Sequence, residues 1–270
     1  VISPTEAPVR PGCSVCQALL FDGLSRISQP EPGYNPAMSY AFHPVGIVHS
    51  PYKEKFGIPR QPALAPAADI QIELLPPFNH PDTVRGLEAF SHVWISFVFH
   101  QTAQRGWQPL VRPPRLGGNA KVGVFASRST HRPNPLGLSL VALRGIDTGH
   151  GVWLHLEGAD LLDGTPVLDI KPYIPFVEAH PEARGGFVDG PPPCLEICWS
   201  QPALQQLAAL PSAPPGLAQL IEQVLAQDPR PAYQHDPERI YGVRLYDYNI
   251  RFSIRDNHAH VLEIQPLAPN

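Results

Sequence analysis

The sequence predicts a mainly β protein in which a β-barrel is followed by a small α+β domain. Short strand-like segments separated by turn residues outnumber helical patterns up to about residue 180. The 35 prolines among 270 residues disfavour long uninterrupted helices. Many short strands need their edges covered, and a closed barrel covers them. Beyond a segment rich in proline and glycine at 181–193, helical patterns mix with strands.

Residues 1–38 precede the first strand-like segment and are rich in proline and turn residues. Met38 is the only methionine, which makes it the one candidate for a natural start within this sequence. We therefore expect residues 1–38 to be a disordered leader or a non-native extension. The predicted divisions that follow are a barrel domain at 39–180, a linker at 181–193 and a C-terminal α+β domain at 194–270.

Seven strand-like segments are predicted in the barrel domain. A short helical turn is expected within Val84–His92, between the second and third of them. In chain order the strand-like segments are Pro44–Ser50, Ile70–Leu75, His92–Phe99, Lys121–Ala126, Leu138–Leu143, Val152–Leu156 and Pro166–Ile170.

The C-terminal domain is predicted to contain three strands and two helices. The segment CLEICWS reads as one strand, and PALQQLAAL reads as a short helix. In GLAQLIEQVLAQ the apolar residues recur with helical spacing, which predicts a second helix. The last stretch, VRLYDYNIRFSIRDNHAHVLEIQPL, reads as two strands around a turn at Asp256–His258.

The charge distribution predicts a local anion site. The net charge of −4 argues against general polyanion binding, yet Ala89–Ile146 contains no Asp or Glu and seven Lys or Arg residues. A positive stretch within an acidic protein is typical of a surface that meets an anion.

Several familiar classes of site are not supported. The chain lacks a phosphate-binding G-x-x-x-x-G-K-[ST] loop, a G-x-G-x-x-G turn, a G-x-S-x-G nucleophile motif and an H-E-x-x-H zinc motif. It also lacks a run of about 18 apolar residues and a visible signal peptide, so we expect no membrane partner. The four cysteines, Cys13, Cys16, Cys194 and Cys198, are predicted to be structural or free thiols, which favours a reduced, cytoplasmic protein.

Polar residues concentrate at strand ends and in turns that proline and glycine hold rigid. Four such segments stand out: GIPRQP at Gly57–Pro62, FVFHQ at Phe97–Gln101, ASRSTHRPNPLGLSLV at Ala126–Val141, and GADLLDGTPVLDIKPYIP at Gly158–Pro175. Rigid strand ends are where binding residues usually lie, so these segments are the predicted site.

These segments, with RGLEAFSHVWISFVFHQ, RPPRLGG and DPRPAY, resemble in the same order the TsaA-like family of S-adenosylmethionine-dependent tRNA methyltransferases. The resemblance covers about residues 40–265 and matches the bacterial two-domain form. It implies a single-sheeted β-barrel catalytic domain and a homodimer. The implied reaction methylates N6 of threonylcarbamoyladenosine at position 37, in the anticodon stem-loop of threonine tRNA, with no metal.

The resemblance also assigns the methyl donor to particular residues. The implied contacts are Pro59, Arg60, Gln61, His100, Gln101, Arg128, Leu138, Asp163, Gly164, Thr165 and Pro166. The tRNA phosphates are expected to meet Arg105, Arg112, Arg115, Lys121 and Arg132, and the modified base to meet Arg230 and Tyr233.

The candidates for a general base are His131 and Asp160, since the carbamoylated nitrogen must lose a proton. Two alternatives stay open from the residues alone. One is a non-catalytic RNA- or nucleotide-binding β-barrel module, which needs no methyl donor. The other is a hydrolase that uses Asp160, Asp163 and His131 around a metal ion.

Overall fold

The computed structural model describes residues 39–117, 119–188, 190–210, 213–230 and 236–267. The predicted leader at 1–38 and the predicted tRNA contact Tyr233 lie outside them. The strands up to residue 172 are β1 (Gly46–His49), β2 (Asp69–Leu74), β3 (His92–Val98), β4 (Leu110–Val111), β5 (Val122–Gly123), β6 (Leu136–Asp147), β7 (Trp153–Glu157) and β8 (Pro166–Pro172).

Six of these strands form a closed antiparallel barrel in the order β1-β2-β7-β6-β3-β8, with β8 pairing back to β1. Alternation along several strands forms the inner, apolar face of this barrel. In β2, for example, Ile70, Ile72 and Leu74 point into the core while the residues between them are more exposed. The prediction of a mainly β, single-sheeted barrel is therefore confirmed.

Two predicted strands differ from the observed ones. Lys121–Ala126 forms only the two-residue strand β5, because Val124–Ala126 closes into a 3-10 turn; β5 pairs with β4 in a small separate hairpin. Strand β6 is longer than predicted and reaches Asp147, because a register shift between Leu143 and Gly145 lets it keep pairing with β7. The helical turn expected in Val84–His92 is present as a 3-10 turn at Leu87–Ala89.

The antiparallel register places four polar segments at one rim of the barrel. Strands β1, β3 and β7 end at this rim, and β2, β6 and β8 begin there. The register pairs His49↔Gln71 and Val98↔Leu136 show the correspondence. Residues 50–61, 99–102, 126–135 and 158–165 therefore all connect strands at the same end, which we call the site rim.

After the short helix α1 (Pro175–Glu178), the C-terminal part contains two longer helices and a four-stranded sheet. Its elements are β9 (Glu196–Trp199), α2 (Gln201–Ala209), α3 (Leu217–Ala226), β10 (Tyr241–Leu245), β11 (Tyr248–Arg255) and β12 (His258–Pro266). The sheet order is β10-β11-β12-β9, with β9 parallel to β12. This arrangement confirms the α+β prediction.

The prediction of two final strands was wrong, because the stretch contains three. A turn at Tyr246–Asp247 separates β10 from β11, and Tyr246 adopts a positive φ of 51° there. The Tyr246 amide donates a hydrogen bond of 2.8 Å to the carbonyl of Pro51, which belongs to the barrel part of the chain. A tertiary contact thus fixes a turn that local sequence does not signal.

Among the described residues, no helix has the length and apolarity that crossing a membrane requires.

Candidate functional site at the barrel rim

The predicted turn Asp163–Pro166 is hydrogen-bonded to the residues that follow β1. The carboxylate of Asp163 accepts hydrogen bonds from the Ser50 amide at 2.9 Å and from Lys53 Nζ at 2.8 Å. The Asp163 amide donates to the carbonyl of Tyr52 at 3.0 Å. Gly164 has a φ of +72°, which favours glycine at this turn. The turn is therefore rigid before any ligand binds.

Two further predicted segments meet through Arg128. Its guanidinium donates a hydrogen bond to the side-chain oxygen of Gln61. Nearby, Lys55 Nζ donates to Thr130 Oγ1 at 3.3 Å, and burial together with the charge of Arg105 lowers the pKa of Lys55. Side-chain hydrogen bonds consequently join the segment that follows β1 to the loop that precedes β6.

The loop before β6 is shaped by its own side chains. Arg132 donates to the carbonyls of Ser127 at 2.8 Å and Val124 at 3.2 Å, and its guanidinium lies 5.8 Å from the ring centroid of Phe125. The His131 amide donates to Ser129 Oγ at 3.2 Å. Arg132, predicted to meet tRNA phosphates, thus has intramolecular partners that hold the loop.

His100 and Gln101 lie in the turn that follows β3. Thr102 in the same turn is buried, and its hydroxyl donates to the carbonyl of Thr130 at 3.4 Å. Burial lowers the pKa of His100, and a backbone hydrogen bond with Val98 offsets part of this effect. The imidazole of His100 is therefore neutral at neutral pH, and the turn faces the loop before β6.

Asp160 is a buried acid held by a serine that the sequence did not single out. Ser139, buried in β6, donates from its hydroxyl to Asp160 Oδ1 at 2.6 Å. Burial raises the pKa of Asp160; the Ser139 hydrogen bond, a hydrogen bond to its own backbone and the charge of Arg128 offset part of that rise. Ser139 was missed because alternation in a strand marks only its burial.

Tyr52 is the second buried polar group at this rim. Its side chain is fully buried, and within the described part of the chain its hydroxyl has no hydrogen-bond partner. Burial, followed by the charges of Asp160 and Tyr246, raises the pKa of Tyr52. A buried hydroxyl without a partner is costly, so this position lowers the stability of the fold at the rim.

His131, the other predicted base, also lies at the site rim. Burial lowers its pKa, and the positive charges of Lys55 and Arg105 lower it further. Its imidazole is therefore neutral at neutral pH and able to accept a proton. The two candidates are shifted in opposite directions: the lowered pKa of His131 favours its neutral, proton-accepting imidazole, whereas Asp160 accepts a proton only as the carboxylate, and its raised pKa makes that carboxylate more basic.

The predicted tRNA contacts fall into two groups. Arg105, Arg112, Arg115 and Lys121 are exposed, on the turn after β3 and around the β4–β5 hairpin. Arg230 instead forms two hydrogen bonds of 2.8 Å with the Asp228 carboxylate, and its side chain is only 12% exposed. Burial alone would raise the pKa of Asp228, but its hydrogen bonds and ion pair with Arg230 lower it.

Two family models match the chain, the tRNA-methyltransferase O N-terminal domain at residues 47–179 and the TrmO C-terminal domain at residues 192–267. The chain belongs to the tRNA-methyltransferase O family. This confirms the family resemblance seen in the sequence. The N-terminal match contains all four segments of the site rim.

Known members of the tRNA-methyltransferase O family are close in sequence and structure. A tRNA (adenine(37)-N6)-methyltransferase of Escherichia coli K12 is 49% identical over 84% of this chain and 99% of its own length. A Pseudomonas aeruginosa relative, 52% identical over 84% of this chain and 98% of its own length, is named as a candidate S-adenosylmethionine-dependent methyltransferase. The crystal structure of TrmO from Pseudomonas aeruginosa superposes with a TM-score of 0.69 at 43% identity, covering 85% of this chain and 99% of that chain.

Proposed function

We propose that this chain transfers the methyl group of S-adenosylmethionine to N6 of adenosine 37 in a tRNA, and that the accepting nucleoside carries an N6-threonylcarbamoyl group. The observation that carries the proposal is the convergence of the four polar segments at the site rim. The domain division at 39–180, 181–193 and 194–270, and a cytoplasmic location, are part of the same proposal.

The residues at the rim fit such a donor. The guanidinium groups of Arg60 and Arg128 suit its carboxylate, because arginine can offer two parallel hydrogen bonds. The rigid Asp163–Pro166 turn presents polar groups for the ribose and the adenine edge. When bound, the donor supplies a methyl group activated by a sulfonium. Pro59, Gln61, His100 and Gln101 complete the proposed contacts.

The chain itself contributes alignment and proton removal. Holding two reactants in line can lower a barrier by about 7–11 kcal/mol. A base adds roughly 10²–10⁴-fold when it takes the proton from the carbamoylated nitrogen. His131 and Asp160 remain the two proposed bases, with Ser139 orienting Asp160 through its 2.6 Å hydrogen bond.

We assign tRNA binding to the acid-free stretch. The exposed cations Arg105, Arg112, Arg115 and Lys121 would meet phosphates of the anticodon stem-loop. Arg132 and Arg230 are bound to groups of this chain, so a phosphate or base would have to share or replace those partners. Tyr233, proposed to stack on an unstacked base, lies outside the described residues.

A homodimer is supported by exposed apolar side chains on either side of the loop that precedes β6. Phe125 is 78% exposed, and Leu136 and Leu138 on the outer face of β6 are 47% and 57% exposed. Exposed large apolar side chains such as these are typical of an interface when they form one patch. Leu138 points away from the barrel core, so its proposed donor contact would lie at the edge of that interface.

The test is methyl transfer to two tRNA preparations, from cells with and without the threonylcarbamoyl modification. We expect label from S-adenosylmethionine in the modified preparation only. Equal labelling of both would refute the threonylcarbamoyl substrate and leave the methyltransferase assignment intact. Binding of tRNA with neither donor binding nor transfer would instead support the non-catalytic barrel module.

A further inference from the structure

One side of the chain segment that follows β1 contacts the C-terminal sheet. Residues 51–61, which we call the donor segment, run from the end of β1 to Gln61. Tyr52 forms an isolated antiparallel bridge with Leu245, the last residue of β10. Glu54 Oε1 accepts a hydrogen bond of 3.0 Å from the amide of Arg244. With the Tyr246–Pro51 hydrogen bond, these contacts extend the β10 edge onto the donor segment.

Side-chain packing tightens the same contact. The ring of Phe56 stacks against Tyr241 and Phe252, with centroid distances of 6.4 Å to each. Gly57 is buried at the end of the same 3-10 turn, Lys55–Gly57, and a Cβ atom there would lie 2.4 Å from Cγ2 of Val243. Real Cβ atoms do not approach that closely, so the close approach of the donor segment to β10 depends on glycine at this position.

The opposite side of the donor segment faces the proposed donor site. Lys53 binds Asp163, Lys55 binds Thr130, and Gln61 accepts from Arg128. Arg60, proposed to hold the donor carboxylate, instead contacts the C-terminal part, where it donates to the carbonyl of Asp228 at 3.4 Å, just after α3. The segment thus contacts the C-terminal part on one side and the rim residues on the other.

We infer that the C-terminal sheet positions the methyl-donor site, with Gly57, Val243 and Glu54 as positioning residues that act through Pro59, Arg60 and Gln61. The inference rests on the proposed function, because it takes Pro59–Gln61 as donor contacts. A loop that is ordered only part of the time binds its ligand with an affinity reduced by that fraction. Support from β10 and β11 keeps the segment ordered before the donor arrives.

The decisive variant is Gly57→Ala, measured by calorimetry with S-adenosylmethionine and no tRNA. If the added methyl reduces the ordered fraction to about a tenth, the donor Kd rises about tenfold. The double variant Gly57→Ala with Val243→Ala removes the clashing Cγ2 atom and should return the Kd to within about twofold of wild type. The tRNA Kd should stay within about twofold throughout, because the cations of the β4–β5 hairpin take no part in this contact.

A second pair covers the case in which Gly57→Ala fails to fold, as thermal melting would show. Glu54→Ala removes the acceptor for the Arg244 amide, whereas Glu54→Gln keeps an oxygen at the same place. We expect the donor Kd to rise about threefold in the first and to stay at the wild-type value in the second. A folded Gly57→Ala or Glu54→Ala protein with wild-type donor affinity would overturn the inference. No donor binding by the wild-type protein would instead defeat the proposed function.

Discussion

Removing the hydroxyl of Ser139 should destabilise the protein in a way that depends on pH. Ser139→Ala deletes the 2.6 Å hydrogen bond to the buried carboxyl of Asp160. A hydrogen bond to a charged group contributes about 1.5–3 kcal/mol, and one between neutral groups about 0.5–1.5 kcal/mol. The penalty in the free energy of unfolding should therefore be larger where Asp160 is ionised.

The sign follows from the direction of the pKa shift. The folded pKa of Asp160 is raised above the ordinary value of 3.8. Protonation of Asp160 therefore contributes its full share to the free energy of unfolding below pH 3.8, and this contribution is lost as pH rises through the folded pKa. Ser139→Ala raises this pKa further, because the hydrogen bond had favoured the carboxylate. The stability curves of the two proteins should consequently diverge as pH increases, by about 1.4 kcal/mol for each unit of pKa difference.

Urea denaturation at a series of pH values from about 4 to about 8 measures this divergence. The control is the same substitution in an Asp160→Asn background, where no carboxyl titrates and the Ser139→Ala penalty should not vary with pH. A penalty that is constant with pH in the wild-type background would refute the reasoning. So would a pH-dependent penalty that persists in the Asp160→Asn background.

Three further substitutions test other parts of the account. Lys121→Gln should weaken tRNA binding and reduce the slope of log K against log salt by about one, whereas Lys171→Gln at the opposite rim should change neither. Arg128→Lys should raise the donor Kd about tenfold in calorimetry, because lysine lacks the planar fork, and an unchanged Kd would contradict this. Gly137→Ala places a methyl 2.2 Å from the Phe97 ring and should cost about 1–3 kcal/mol in urea denaturation, whereas Gly145→Ala has open space. Equal penalties at the two glycines would refute the packing argument.

The barrel was predictable because its signal is local. Strands such as β2 and β3 alternate apolar and polar residues, and that alternation follows from the geometry of a half-buried strand. The position of the four polar segments at strand ends was also predictable, since each follows or precedes such a strand. To predict that these segments converge on one rim, the order of the strands in the barrel must be known. The hydrophobic periodicity of the sequence does not determine that order.

The remaining features depend on contacts between distant parts of the chain. The turn at Tyr246 is fixed by a hydrogen bond from residue 246 to Pro51, and the environment of Gly57 is set by Val243. The sequence likewise shows the charges of Arg132 and Arg230 but not their partners. Both guanidinium groups bind acceptors of this chain, so a count of positive residues overstates the surface open to phosphates.

The most direct test of the central claim is the position of the methyl donor in a crystal structure of the protein soaked with S-adenosylmethionine. We predict that the donor lies at the site rim, with contacts to Pro59–Gln61, Arg128 and the Asp163–Pro166 turn. A donor bound at the opposite rim of the barrel, or within the C-terminal sheet, would contradict the account.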